Sequence, residues 1–305
     1  MTKEQQLSLG EVRQVGEPME ATGGQGLWTK AWQRFRRHRL AMIGLIILVI
    51  FIFLAIFAPV LSPHSAFKLD LPNRASGPSR EHWLGTDGTG RDIFARVMLG
   101  GRVSLSVGLV AVAISTTIGV ILGGIAGYFG GRSDMAIMRI TDVVMTFPPL
   151  IIIITLVAVV GPSIYNTMFA IGLLSWTATA RLVRGQFLYL RSQEFVTAAR
   201  CLGVRDSRII FNHILPNTIG PVVVAATFGV ATAILMEAGL SFLGLGVQPP
   251  TPSWGNMLRD AQTLTILETM PWMWVPPGLM IVLSVLSINF IGDGLRDALD
   301  PRSLL

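Results

Sequence analysis

Charge is scarce in this chain of 305 residues. Only 14% are Asp, Glu, Lys or Arg, against roughly 25% in soluble domains. So few charges cannot cover a water-facing surface, which excludes an ordinary soluble enzyme. Cysteine is nearly absent: Cys201 stands alone, which excludes an internal disulfide framework and a Cys-based zinc site. Lysine is limited to Lys3, Lys30 and Lys68, and none follows a glycine. The phosphate-binding G-x-x-x-x-G-K-[ST] loop is therefore missing; if ATP powers this chain, another polypeptide binds it. The four histidines, His38, His64, His82 and His213, show neither HExxH nor another paired spacing, so no metal site is expected. No Gly-x-Ser-x-Gly elbow occurs, and an intramembrane hydrolase is unsupported.

What is present is apolar. Hydrophobic residues make up 51% of the chain and mean hydropathy is +0.59. Stretches free of Asp, Glu, Lys and Arg run over 40–67, 103–131, 143–180, 209–236 and 269–292. A span needs about 20 apolar residues. The third stretch is too long for one span, and Gly161-Pro162-Ser163 at its middle is a turn signal. Six transmembrane helices are expected, over 41–60, 103–127, 143–160, 164–180, 218–239 and 272–291. The first is too long, and too far from the start, for a cleaved leader. The fold class is all-α integral membrane protein.

With the N-terminus inside, 17 of the 24 Lys and Arg face inward and 7 outward, as the positive-inside rule requires. Both termini are then cytoplasmic, and the net charge of +6 reads as bilayer asymmetry, not nucleic-acid binding. Residues 1–26 read as a disordered tail, with a Gly23-Gly24-Gln25-Gly26 stretch. Residues 27–40 read as an interfacial amphipathic helix, with Trp28, Trp32 and Phe35 on one face: an anchor, or a lipid sensor. Residues 61–102 form an extracytoplasmic loop, and 292–305 a cytoplasmic tail. Trp272 and Trp274 suit an aromatic belt. Gly119, Gly123, Gly127 and Gly131 recur every four residues, for close helix packing within the chain or against a partner.

Few ionisable residues lie in the spans. Asp142 sits at the inner edge of the third. Glu237, near the outer end of the fifth, reaches the interface, pairs with a neighbouring chain, or lines the outer mouth of a substrate path. Ion coupling through Asp, Glu or His chains is therefore weakly supported.

The inner loop 181–217 is the informative segment. A helix is expected over 192–202, with Glu194 in its first turn and Gly203 as a left-handed stop. Asp206 is expected to cap a second helix, which Pro216 kinks or restarts. The first helix presents Phe195, Ala198, Ala199 and Leu202, suited to a groove on a partner or to the protein's own helix ends.

The pattern Glu194-x-x-x-Ala198-Ala199-x-x-x-Gly203, followed by Ile214-Leu215-Pro216, resembles the EAA loop of ABC importer permeases. The run from His82 to Asp92 resembles the GTDxxGRD element of the peptide-importer branch. The runs 240–255 and 292–301 resemble its second outer loop and its tail. By itself the GTDxxGRD element reads as a turn opening a short helix, capped by Asp87 or Thr89. The resemblance covers about 30–302 and implies a C-type permease of dipeptide, oligopeptide, nickel or glutathione importers. It implies the six-helix type I importer (MetI-like) fold, with the transport domain over 103–291. The implied partners are a second homologous permease chain, two ATPase subunits using ATP and Mg, and an extracytoplasmic substrate-binding protein. It assigns Glu194, Phe195, Ala198, Ala199, Leu202, Gly203 and Pro216 to ATPase coupling, with no catalytic residue, cofactor or metal on this chain. The alternatives from other classes are an ion-coupled secondary transporter and an interaction-only scaffold.

Overall fold

The structure, a computed structural model, describes residues 27–299; the expectations for 1–26 and 300–305 lie outside it. It opens with α1 (Leu27–Arg37) and α2 (Arg39–Leu61). His38 separates them and caps α2, its Nδ1 accepting the Ala41 N–H at 3.1 Å. Phe35 is buried against Ala41 and Ala298, while half-exposed Trp32 stacks on it at 5.8 Å. The close approach depends on Gly294, where a Cβ would meet that of Ala41 at 2.4 Å. This end of α1 is therefore docked on the protein. The side chain of Trp28 lies outside the described residues. Along α2, Ile43, Ile46, Ile50, Phe53 and Phe57 face outward, an apolar face of the kind that meets lipid or another chain.

After a connection with one short 3-10 turn, the long helices follow: α3 (Ile93–Phe129), α4 (Gly131–Thr146), α5 (Pro149–Val160) and α6 (Ile164–Arg191). Next come α7 (Glu194–Cys201), α8 (Asp206–Ile209), a π-helical turn over Ile210–Ile214, and α9 (Leu215–Phe242). Two short helices, α10 (Trp254–Asp260) and α11 (Leu264–Thr269), precede α12 (Pro271–Leu299). Among the described residues four helical stretches are long and apolar enough to cross a membrane: α2, α3, residues 206–242 and α12. The pair α4 and α5 makes a fifth if taken together. At 28 residues, α6 is also long enough to span, but it carries Asn166, Thr167, Ser175, Thr177 and Thr179 and packs inside the bundle.

Two expected spans are corrected. The span expected over 143–160 is broken at Phe147-Pro148, where α4 and α5 meet at 84°. Successive prolines, Pro148 and Pro149, remove backbone donors and push the preceding residue out of helical space. The turn at 161–163 falls where expected. The span expected from 103 begins at Ile93 instead. Asp92, not Asp87 or Thr89, caps it, accepting the Ala95 N–H at 2.8 Å, and the helix so opened is the 37-residue α3. At about 55 Å it outreaches the hydrocarbon core.

The centre is the pairing of α3 with α6. The expected glycine stripe is used within the chain. A Cβ at Gly119 would meet Thr179, at Gly123 the Ala180 carbonyl at 2.4 Å, and at Gly127 the Phe187 Cβ at 2.6 Å. Gly131 faces open space. On the other side of α3, α9 and α12 pack together, with Ala231, Ile234 and Ile288 buried between them. Near the α12 start, the Trp272 indole donates to the Thr86 carbonyl at 3.3 Å, so this ring clamps the loop instead of forming only a lipid belt.

Candidate functional site

The loop after α6 is built as a rigid bracket. Gln193 stands at the N-cap of α7, with Glu194 in its first turn, where a carboxylate suits the helix dipole. On one face Val196 and Ala199 are buried among Tyr128, Val183, Phe187, Ile209 and Ile214. The opposite face shows Glu194, Phe195, Ala198, Cys201 and Leu202; Phe195 is 44% and Leu202 83% exposed. Ala199 was expected on the exposed face. It turns inward instead, because it lies three residues after Val196 and shares its side of the helix.

Gly203 ends α7 as expected, with φ at +74°. Its N–H donates to the Arg200 carbonyl at 2.9 Å and that of Val204 to Ala199 at 3.1 Å, the paired bonds of a Schellman stop. Asp206 is corrected. It lies in the first turn of α8, whose N-cap is Arg205, and its carboxylate accepts the Tyr128 hydroxyl. Tyr128 is the anchor that the sequence reading missed. The Arg191 guanidinium donates to its carbonyl at 2.6 Å, and Arg200 lies 5.5 Å over its ring. The only signal was an aromatic pair, Tyr128-Phe129, set between the last two glycines of the stripe.

Pro216 stands in the first turn of α9, which opens at Leu215 after the π turn, so the helix restarts there in type without breaking the helical stretch over 206–242. The proline has no N–H and crowds the carbonyl four residues back. The π turn over Ile210–Ile214, immediately before it, absorbs that mismatch with wider bonding. Beside the loop, Arg184 grips Asp134 with two bonds, the Nη2–Oδ2 contact being 2.7 Å. Arg181 meets Asp142 at 2.6 Å. Both pairs brace α6 against α4.

At the opposite end, Glu237 is fully buried. Its carboxylate accepts the Ser104 hydroxyl at 2.8 Å and that of Ser241 at 2.6 Å. Above it, buried Trp254 donates through its indole to the Val97 carbonyl at 2.9 Å and through its backbone to Ser104 at 3.3 Å. The 240–256 loop thus closes this end of the helices. The GTDxxGRD run forms a compact knot beside it. Asp87 accepts the N–H and hydroxyl of Thr89 at 2.8 and 2.7 Å, and the N–H and Nε–H of Arg91 at 3.0 and 2.7 Å. Burial alone would raise the Asp87 pKa. The Thr89 and Arg91 donors and the Arg91 charge outweigh it, and the carboxyl sits below its ordinary value. Asp260, 3.6 Å from Arg91 and 3.5 Å from Arg96, is pushed up, because burial there exceeds the attraction of both guanidinium groups.

Residues 119–304 match the binding-protein-dependent transport system inner membrane component, and residues 26–78 match the N-terminal TM domain of oligopeptide transport permease C. The chain is 48% identical over 275 residues to the dipeptide transport system permease protein DppC of Alkalihalophilus pseudofirmus, covering 90% of each. It is 45% identical over 276 residues to the oligopeptide transport system permease protein OppC of Bacillus subtilis, again 90% of each. The glutathione transport system permease protein GsiD of Escherichia coli is 46% identical over 276 residues, 90% of each. Among solved structures, a chain of the MetNI methionine ABC transporter in an inward-facing form superposes with a TM-score of 0.54 at 18% identity. That match spans 66% of this chain and 94% of that one, and it shows a shared fold. With both family models and these relatives in agreement, the chain belongs to the inner-membrane permease components of binding-protein-dependent ABC transport systems.

Proposed function

We propose that this chain is one half of the membrane channel of an ATP-driven importer of short peptides, and that α7 is where it receives the work of the ATPase. One observation carries the coupling role: a short, firmly based helix holds Phe195 and Leu202 out into solvent. Their backing is a packed cluster of the protein's own residues, so the outward face is free for a partner. In this reading Phe195, Ala198 and Leu202 enter a groove on the ATPase, and Glu194 borders it. Ala199 and Gly203 fix the helix, and Pro216 holds the register of the helix leading into the membrane. The basic end of the bundle then faces the cytoplasm of a multi-pass inner-membrane protein.

Burial of the two apolar anchors gives about 1.5–3 kcal/mol each at most. Carrying a two-state equilibrium from 1:99 to 99:1 takes about 5.5 kcal/mol. One α7 falls short or barely suffices, whereas one from each of two paired permease chains does suffice. That arithmetic favours a heterodimer with a homologous permease chain and two ATPase subunits using ATP and Mg. An extracytoplasmic binding protein would deliver the cargo. Peptide is the proposed cargo because dipeptide and oligopeptide permeases stand among the relatives. Glutathione, itself a modified tripeptide, is the second reading. Glu237 is proposed to lie at the outer end of the path, satisfied by Ser104 and Ser241 while that end is shut.

The test is co-purification from membranes followed by reconstituted uptake of labelled dipeptide, glutathione or nickel ion. The wild-type chain is expected to bring down two ATPases and a second permease, and to move dipeptide with ATP. The paired Phe195→Ala, Leu202→Ala variant is expected to fold normally but lose ATPase docking and at least tenfold of uptake. Uptake by the chain alone, abolished by an uncoupler, would instead make it an ion-coupled carrier.

A further inference from the structure

Two histidines far apart in sequence meet in the connection between α2 and α3. His64 lies just past the end of α2 and His82 is buried, 5% exposed. Their ring centroids are 4.5 Å apart. Nδ1 of His82 is 2.8 Å from Oδ2 of Asp92. An ionised carboxylate only accepts, so Nδ1 carries a proton, and in the neutral ring Nε2 is a bare lone pair. That buried Nε2 has no hydrogen-bond partner among the described residues. Oδ2 of Asp70 lies 3.9 Å from it and is another acceptor. In the neutral ring two lone pairs thus confront one another with nothing positive between them. His64 is set in the same way: its Nε2 meets the Glu81 carbonyl at 2.8 Å, so Nε2 carries the proton and Nδ1 is left bare. One ligand-capable atom from each of His64, His82 and Asp92 lies within 4.8 Å of the other two.

We propose that this corner binds a divalent transition-metal ion of the zinc class. His64 and His82 are its nitrogen ligands and Asp70 its oxygen ligand, while Asp92 fixes the His82 tautomer. The carboxylate–histidine pair is the arrangement that orients a metal-binding imidazole through its second nitrogen. Ligands at about 2.0–2.2 Å from an ion stand roughly 3–4 Å from each other, and Nε2 of His82 and Oδ2 of Asp70 at 3.9 Å already stand at that spacing. Imidazole nitrogens suit zinc, nickel or copper, whereas magnesium and calcium want oxygen. Asp92 also caps α3, so the ion ties the end of α2 to the start of α3. The sequence spacings, 64 to 82 to 92, match no short metal motif, which is why the pattern was silent.

The experiment uses the full chain with a tag free of histidine, stripped by chelator in mild detergent and titrated with zinc alone against a competing chelator. Bound zinc and the melting midpoint are both read. The wild type is expected to bind about one zinc per chain, with a rise in midpoint, since metal binding adds to folding. His64→Gln and His82→Gln are expected to abolish both, and His213→Gln to change neither. Asp92→Asn keeps a good helix cap and is expected to weaken zinc about 10–100-fold. Should His82→Gln fail to fold, His64→Gln carries the test from its half-buried loop position. Zinc uptake by wild type no greater than by the double His64→Gln, His82→Gln variant overturns the proposal, as does unchanged affinity in both single variants.

Discussion

At the scale of single residues, space decides more than chemistry. Gly123 touches the backbone of α6, and a methyl there would sit 2.4 Å from the Ala180 carbonyl. Gly123→Ala is expected to force α3 and α6 apart and cost about 1–3 kcal/mol, read as a lower melting midpoint of the isolated chain in detergent. Gly185 lies on the same α6 with open space around it. Gly185→Ala is expected to hold or raise the midpoint, because alanine is the better helix former by about 1 kcal/mol. Equal losses in both would show that the stripe does not set the helix contact. Glu237 is governed by its partners. Glu237→Ala strands the Ser104 and Ser241 hydroxyls and is expected to cost about 1–3 kcal/mol for each left unmet. Glu237→Gln keeps an acceptor and the volume. It is expected to stay near wild type in thermal melting yet lower peptide uptake if the carboxylate serves the path.

Elements depend on their ends. α7 is eight residues long, too short to persist alone in water, so its stop and its buried face must hold it. Gly203→Ala places a side chain at φ +74°, a conformation costing about 1–2 kcal/mol. Transport is expected to fall further than stability, since the same residue aims the 204–214 segment. A parallel loss of both would make Gly203 only a folding residue. The GTDxxGRD knot depends on the ionised Asp87, whose pKa lies below its ordinary 3.8. A lowered folded-state pKa gives stability that is whole above the unfolded value and is lost as pH falls through the folded one. Asp87→Asn is therefore expected to lower the midpoint at neutral pH and to flatten its decline below about pH 4, because charged hydrogen bonds worth about 1.5–3 kcal/mol are gone at every pH. Melting both chains across pH 3 to 7 checks the sign.

For the whole molecule the open questions are which end faces inward and what docks there. Cys201 is the chain's one cysteine and it is exposed on α7, so it reports on both. A membrane-impermeant maleimide is expected to label it in inverted vesicles and not in intact cells. Bound ATPases are expected to slow that labelling at least tenfold. Labelling of intact cells would reverse the proposed topology, and equal rates with and without ATPases would remove α7 from the docking surface. Much of this was legible beforehand. Gly203 shows it most clearly, since a left-handed stop is a local property of one residue and its neighbours. The break at 147–148 was equally local, yet the apolar run across it outweighed the two prolines.

Composition and pattern by themselves determined that the chain is a multi-helix membrane protein, that its loop 181–217 is helical, and that it carries no G-x-x-x-x-G-K-[ST] phosphate loop. These follow from burial in lipid, from periodicity and from the motifs that are missing, all carried by short stretches of sequence. Tertiary structure alone decided that Ala199 faces inward, that Tyr128 anchors the loop, that Glu237 meets Ser104 of α3, and that His64 meets His82. Each joins residues separated by many turns of chain. Such contacts are fixed by how whole helices pack, which no local spacing encodes.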